Sequence, residues 1–486
     1  MHRFVFFPQT DPSFRPDISS AILLGADGVP VRGEVRLEGT TIVCESRNPD
    51  ALALSILWPV AGVGTIQLET TRLPARDEPY HLNIELARHR LMRISSRREE
   101  WGLYDFPGMN GIVTKIDDAQ AGFVAAMQAL PDNAAATKLA DQAISLAVSS
   151  SEDMCRFHAG VFLSRRKQSA SLVRGFFGTS VNALVGKTVG KIKLSDVFGF
   201  ARIPFVWRDI QRKEQVSSYD TPDALVKLCA REGLPLRSGP LLNFGVQFIP
   251  DWMYIWENDY EAIAEFAKEH VRRTVQRYAG QISSWVVAGG LHNESVFPLN
   301  FEQIMELTRM AATITKQSAP RAQIVLELTQ PWGECYARNP RTVPPLLYAE
   351  MAAQSGIAFD AFGLQLLFGI DSEGFHLRDQ MQITSVIDRL ANLGKPIQLT
   401  AVAYPSASGS GGQPQGGWSE EAQADWISTV GELALSRPYV ESICMQTLVD
   451  SPSAVVPHSG LLREDLTPKP AIERIARFRQ GMIGTK

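Results

Sequence analysis

Residues 396–406 read PIQLTAVAYPS. An apolar first half, a threonine and then Pro405 and Ser406, which break pairing, make this a buried strand that runs into a loop. Such a run bounded by turn residues is what a parallel sheet covered on both faces requires. The same form recurs upstream and downstream. FFGTSVN (176–182), FGFARIPFVW (198–207), LPLRSGPLLNF (234–244), ISSWVVAGG (282–290), AQIVLELTQP (322–331), FDAFGLQLLF (359–368) and VESICMQTLVD (440–450) all read as strands. Between them lie segments of helical period, such as TPDALVKLCAREG, with Thr221 as the expected N-cap and Pro222 at the first position. Eight βα units in this order predict a (β/α)8 TIM barrel over 171–486.

Two other regions precede it. Residues 1–79 alternate apolar and polar side chains between turn residues, as in GVPVRGEVRLEGTTIVCES. This predicts a small β-sandwich-like domain, serving as a structural cap or in carbohydrate binding. Residues 80–170 change to helical period, with Leu82, Leu86 and Leu91 on one side and a break near Pro131. They form a helical linking segment, which could serve as an assembly interface. His89 and His158 in it have no second ligand at metal spacing and read as packed or solvated side chains.

The bulk numbers are those of an ordinary globular chain. It has 486 residues, 45% hydrophobic and 21% charged, with a net charge of -4. No basic block marks a nucleic-acid or anionic-membrane partner. No apolar run approaches the ~18 residues of a membrane span. The five cysteines are scattered and form no CxxC pair, which fits free thiols rather than a disulfide framework or zinc site. The start, MHRFVFFPQTDPSF, lacks a long apolar core, so a cytoplasmic location is the expectation. The glycine-rich stretch SASGSGGQPQGGW (406–418) lacks dinucleotide-binding spacing and predicts a mobile loop after strand seven, or a lid ending in Trp418. Neither a metal nor an organic cofactor is expected.

From about 172 to 480 the chain resembles family-10 glycoside hydrolases, the endo-β-1,4-xylanase family. FFGTSVN resembles its first strand. GLPLRSGPLLNFGVQFIPDW resembles the third strand and loop, where Gln247, Pro250 and Trp252 match the family order. ISSWVVAGGLHNES resembles the fourth, FDAFGLQLLF the sixth and RLANLGKPIQLTAVAY the seventh. The resemblance implies a barrel acting on a polysaccharide or oligosaccharide, with an acid/base glutamate after strand four and a nucleophilic glutamate after strand seven. Here the nucleophile position is Ala401 and the acid/base position is Gly290. An Asn293–Glu294 pair follows four residues later, and the usual third-strand histidines are Gly239 and Phe244.

Other groups could serve. Glu294 and Glu334 are the candidate catalytic acids, their proton affinity raised by burial against Trp285 or Trp332. Asp209, Glu327 or Asp450 would be base or nucleophile, in an inverting geometry with carboxyls ~6.5–9.5 Å apart. Trp207, Arg208, Asp209, Asn243, Gln247, Asn293, Glu327, Trp332, Gln365, Tyr404, Trp418 and Asp450 are the candidate carbohydrate-binding residues, because aromatic faces and polar groups at strand ends suit a polyhydroxylated ligand. Glu327 also reads as half of a barrel-interior ion pair with Arg202 or Arg237, and Arg208–Asp209 as a loop brace. The alternative to an enzyme is a non-catalytic glycan-binding or scaffold protein on the same barrel.

Overall fold

The computed structural model describes residues 1–7, 14–47, 50–169, 171–172, 175–184, 192–339 and 341–483. Val173 and Arg174, just before the first expected strand, lie outside them, as does Pro8. Eight parallel strands close into a barrel: β1 (Phe177–Ser180), β2 (Phe200–Ile203), β3 (Leu236–Leu242), β4 (Ile282–Gly289), β5 (Gln323–Leu328), β6 (Ala361–Leu367), β7 (Ile397–Ala403) and β8 (Val440–Met445). β8 returns to β1, with Cys444 opposite Gly178, so no edge is left unpaired. The eight units read from the sequence are therefore a (β/α)8 barrel. β7 is buried at every position, as its apolar run requires.

The barrel helices begin at caps readable in the chain. Asn300 and Gln303, and likewise Asp379 and Gln382, form reciprocal capping boxes. One cap differs from expectation. The helix after β2 spans Asp220–Arg231 with Tyr219 at the N-cap, so Thr221 and Pro222 lie inside its first turn. Three helices precede the barrel: α1 (Leu82–Glu100), α2 (Asn110–Gln128) and α3 (Asn133–Gln168). The break between the last two falls at Pro131, where Asp132 caps α3 by accepting from the N–H groups of Ala134 and Ala135. α1 and α3 pack on the barrel helix α4 (Gln380–Ala391) through Leu91, Ile94, Met154, Cys155 and Met381. Arg90 of α1 pairs with Asp379, the cap of α4.

The N-terminal strands form two sheets. One runs in the order Glu34–Glu38, Thr41–Glu45, His2–Val5, Tyr80–His81; the other is built on Gly64–Glu69, Ala53–Val60, Ile22–Leu24 and Pro30–Val31. Phe4, Phe6 and Ile42 share one core with Leu54, Trp58 and Leu68. All five cysteines are free and buried. Among the described residues no helix is long and apolar enough to cross a membrane.

The loop after β7 departs from expectation. Instead of moving freely, Gln413–Pro414 adds an edge strand to the N-terminal sheet, with Gln413 opposite Thr65 and Pro414 opposite Gly64. Gly411 accepts from the Leu377 N–H, and Trp418 donates to the Gly412 carbonyl. The glycines serve close approach. A β-carbon on Gly411 would stand 2.0 Å from the Ile370 carbonyl oxygen, and one on Gly64 2.1 Å from that of Gln413. Thus the loops after β6 and β7 are stitched to the N-terminal sheet. Gly411→Ala, at φ +72°, is expected to open this seam and speed proteolytic cleavage between 406 and 418. Gly416→Ala, at φ +84° with open space around it, should cost only backbone strain of about 1–2 kcal/mol. Limited proteolysis of the two variants makes the comparison.

Candidate functional site

Strand β4 ends in Gly289–Gly290, and the chain then turns sharply. Gly290 has φ +69°, a left-handed conformation that favours glycine. Its carbonyl accepts from the N–H groups of Asn293 (3.1 Å) and Glu294 (2.8 Å), making one helical turn. That turn carries Glu294 back to where it started. A β-carbon on Gly290 would stand 2.7 Å from Glu294 Oε2. The carboxyl of Glu294 therefore lies beside the position whose side chain is missing, although it is four residues away in sequence.

The neighbouring glycine receives a second carboxylate. Glu327 on β5 is in register with Gly289, and a β-carbon there would stand 2.7 Å from Glu327 Oε1. Glu327 is fully buried. Arg202 of β2 pairs with its Oε2 at 2.9 Å, and Gln365 of β6 donates to Oε1 at 2.7 Å. The interior ion pair is thus with Arg202. Arg237 bonds Ser442 at 2.6 Å and lies over the Phe200 ring instead.

Around Glu294, Asn243 donates to its Oε2 at 3.0 Å, and Asn293 accepts from Thr329 Oγ1 at 2.7 Å. Burial raises the Glu294 carboxyl above its ordinary value, the hydrogen bond from Asn243 and the nearby Thr329 hydroxyl pull the other way, and the charge of Glu327 adds to the rise. Five predicted residues, Asn243, Asn293, Glu294, Glu327 and Gln365, are thus brought together at the ends of β3 to β6.

The other candidates lie elsewhere. Glu334 is buried with Arg378 as its ion-pair partner and His376 beside it, and Arg378 also lies over the Trp332 ring. Burial opposes its charge, but Arg378 and His376 outweigh burial and hold the carboxyl below its usual value. The expectation of a raised Glu334 is therefore corrected: a buried cation keeps it ionised. Trp207 is packed flat on His270 at 4.6 Å, and Trp285 is wholly buried in the core. Arg208 pairs with Asp251 at 2.9 Å rather than with Asp209. Asp209, in the short helix Trp207–Ile210, and Gln247, on the loop after β3, are exposed. Asp450 pairs with Lys469 at 2.7 Å and accepts from the Gly460 N–H.

Tyr404 and Trp418 are buried and pack together with Trp426, so Trp418 is a clasp for its loop rather than a lid over the barrel. At the end of β7, Ala401 is buried among Leu367, Ala403, Val456 and Phe375. Thr329 and Arg202 complete the cluster. Of these, Thr329 went unremarked in the sequence reading; the adjacent glycines of WVVAGG were the signal that something else fills their space. Among the described residues, no group of three or more His, Cys, Asp or Glu is arranged to hold a metal.

The sequence model of glycosyl hydrolase family 10 matches residues 205–478, more than half of the chain. The chain belongs to glycosyl hydrolase family 10. Solved structures similar to this family-10 chain include xylanase 10B from Thermotoga petrophila in complex with xylobiose, at 15% identity and TM-score 0.48, covering 66% of this chain and 97% of that one. A family-10 protein from Paenibacillus barcinonensis is similar at 18% identity and TM-score 0.49, covering 66% and 98%. Xylanase 10B from Thermotoga maritima is similar at 17% identity and TM-score 0.49, also covering 66% and 98%. No curated protein matches the chain by sequence.

Two outcomes follow from the site's electrostatics. The folded state holds the Glu294 proton more tightly than the unfolded chain does. Its contribution to stability is full below the ordinary glutamate value and is lost as pH rises through the folded value. Glu294→Gln should therefore gain stability relative to the parent as pH rises above about 4, read as a widening gap in denaturation midpoint; a gap constant with pH contradicts the assignment. Arg378→Met strands a buried anion and should cost about 3–5 kcal/mol. The double variant Arg378→Met/Glu334→Gln should recover part of that loss in chemical denaturation.

Proposed function

We propose that this family-10 barrel binds a polysaccharide or oligosaccharide at the rim around Glu294 and has lost the family's two-glutamate retaining cleavage. The observation that carries this is asymmetric. A glutamate returns to the acid/base position beside Gly290, whereas the nucleophile position is Ala401, sealed by Leu367, Val456 and Phe375. A methyl group can neither attack an anomeric carbon nor stabilise an oxocarbenium ion, so the covalent intermediate of the retaining route has no acceptor. Glu294, bonded by Asn243 and grouped with Asn293 and Gln365, supplies with them donors and acceptors suited to sugar hydroxyls. The N-terminal sheets, stitched to the loops after β6 and β7, act in this reading as a wall of the rim. A cytoplasmic location stays part of the proposal, supported by five unpaired cysteines.

A second reading is favoured by the charge of Glu327 acting on Glu294 across one Gly–Gly step. In it Glu294 is the acid and Glu327 the base of an inverting hydrolysis. Against it, Arg202 and Gln365 already occupy both Glu327 oxygens.

The test is a panel of β-1,4-linked and other glycans, scored for binding and for reducing-end release. The binding reading expects saturable binding without release, weakened at least tenfold in Glu294→Gln, about 1.4 kcal/mol. Release that disappears in both Glu294→Gln and Glu327→Gln, with an inverted anomer by NMR, establishes the hydrolase instead. Binding that ignores Glu294→Gln removes the rim from the account.

A further inference from the structure

A cavity of about 710 Å³ lies away from the Glu294 cluster, along the outer wall of the barrel between α1 and α4. That volume is in the range of small-molecule sites. It continues into a second cavity of about 1010 Å³ through shared lining at Glu69, His89, Arg93 and Arg389. One end is aromatic, with Trp101 stacked on His158 at 4.1 Å and Phe162 beside it. Trp332 and Tyr439 add further apolar surface.

Carboxylates face this space too: Asp27 and Glu69 line both cavities, and the charge of Glu69 acts on Arg93. Arg90 is held by Asp379, Arg97 by Glu100 and Asp388, and Arg437 also by Asp388. Glu69 accepts from Gln382 at 3.1 Å and lies 3.7 Å from Arg378 and 3.8 Å from His89. Arg93 on α1 and Arg389 on α4 differ from the rest. Among the described residues neither has a carboxylate partner; Arg93 donates to Ser385 Oγ at 2.7 Å and Arg389 to the Asp27 carbonyl at 2.6 Å. A guanidinium carries five N–H donors in a fork that matches an oxyanion. Two such forks with spare donors line both cavities where these join.

We propose that this cavity binds a small molecule bearing a carboxylate or phosphate, gripped by Arg93 and Arg389 while its apolar body lies against the aromatic end. The site is separate from the Glu294 cluster: Asn243, Asn293, Glu294, Glu327 and Gln365 line neither cavity, and of the candidate sugar-binding residues Trp332 does.

Inorganic phosphate against chloride at matched ionic strength is the first probe, read as the thermal midpoint of the full chain. Phosphate should raise the midpoint saturably, and Arg93→Gln and Arg389→Gln should each weaken the half-saturating concentration at least tenfold. Arg93→Lys and Arg389→Lys, which keep the charge, should lose less and serve as controls for folding. Adenosine monophosphate and glucuronic acid then separate the phosphate from the carboxylate source by isothermal titration, with cellobiose as the neutral comparison. Tighter binding of either anion than of inorganic phosphate, lost in the Gln variants, supports the site. A phosphate effect that is absent, or equal in parent and Gln variants, overturns it. Binding of cellobiose as tight as that of both anions overturns it as well.

Discussion

Two missing β-carbons govern the site. At Gly289 and Gly290 the inner wall of β4 has room for atoms from other elements, and two carboxylates fill it. Glu327 arrives from the adjacent strand in register, and Glu294 from the turn that Gly290 itself permits. A side chain at either position would push aside the carboxyl beside it. Placing two acidic groups beside one dipeptide has an electrostatic cost, and the protein meets it unequally. Glu327 keeps an ion-pair partner in Arg202, while Glu294 has only neutral donors and its proton affinity is raised by burial.

In the proposed function this division separates the chain from the retaining chemistry implied by its family resemblance. Retention needs two carboxyls on opposite sides of the scissile bond, one of them free to attack. Here both acidic groups sit on the β4–β5 side, and the β7 side is apolar. Two of the other candidate acids are committed to structure. Glu334 answers Arg378, and Asp450 answers Lys469. Buried pairs of this kind hold their place because removal of either partner strands the other.

The N-terminal sheets matter to this arrangement because they anchor the rim. The loop after β7 becomes their edge strand, and Gln67 donates its backbone N–H to Leu377 in the loop after β6. Loops at this end of a barrel usually owe their shape to contacts within the barrel. Here they are held by a separate layer, which in turn packs beside α1 and the cavities between α1 and α4.

Much of this was legible along the chain. The eight strands and their helices follow from local hydrophobic period and capping residues, which act within a few residues of one another. The loss of a nucleophile at Ala401 needed only the seventh strand and its order. What the chain could not disclose depends on contacts between distant residues. Glu294 reads as displaced from its place until the turn at Gly290 returns it; Glu334 reads as a free acid until Arg378, on another loop, neutralises it. The glycine-rich loop reads as mobile because composition records the freedom of glycine, not the close backbone contacts it allows. Sequence by itself determined the ring of strands and the absent attacking group, since both rest on residue type and local order. Tertiary structure alone decided which carboxylates are charged and where they stand, because burial and ion pairing are properties of neighbours brought together by folding.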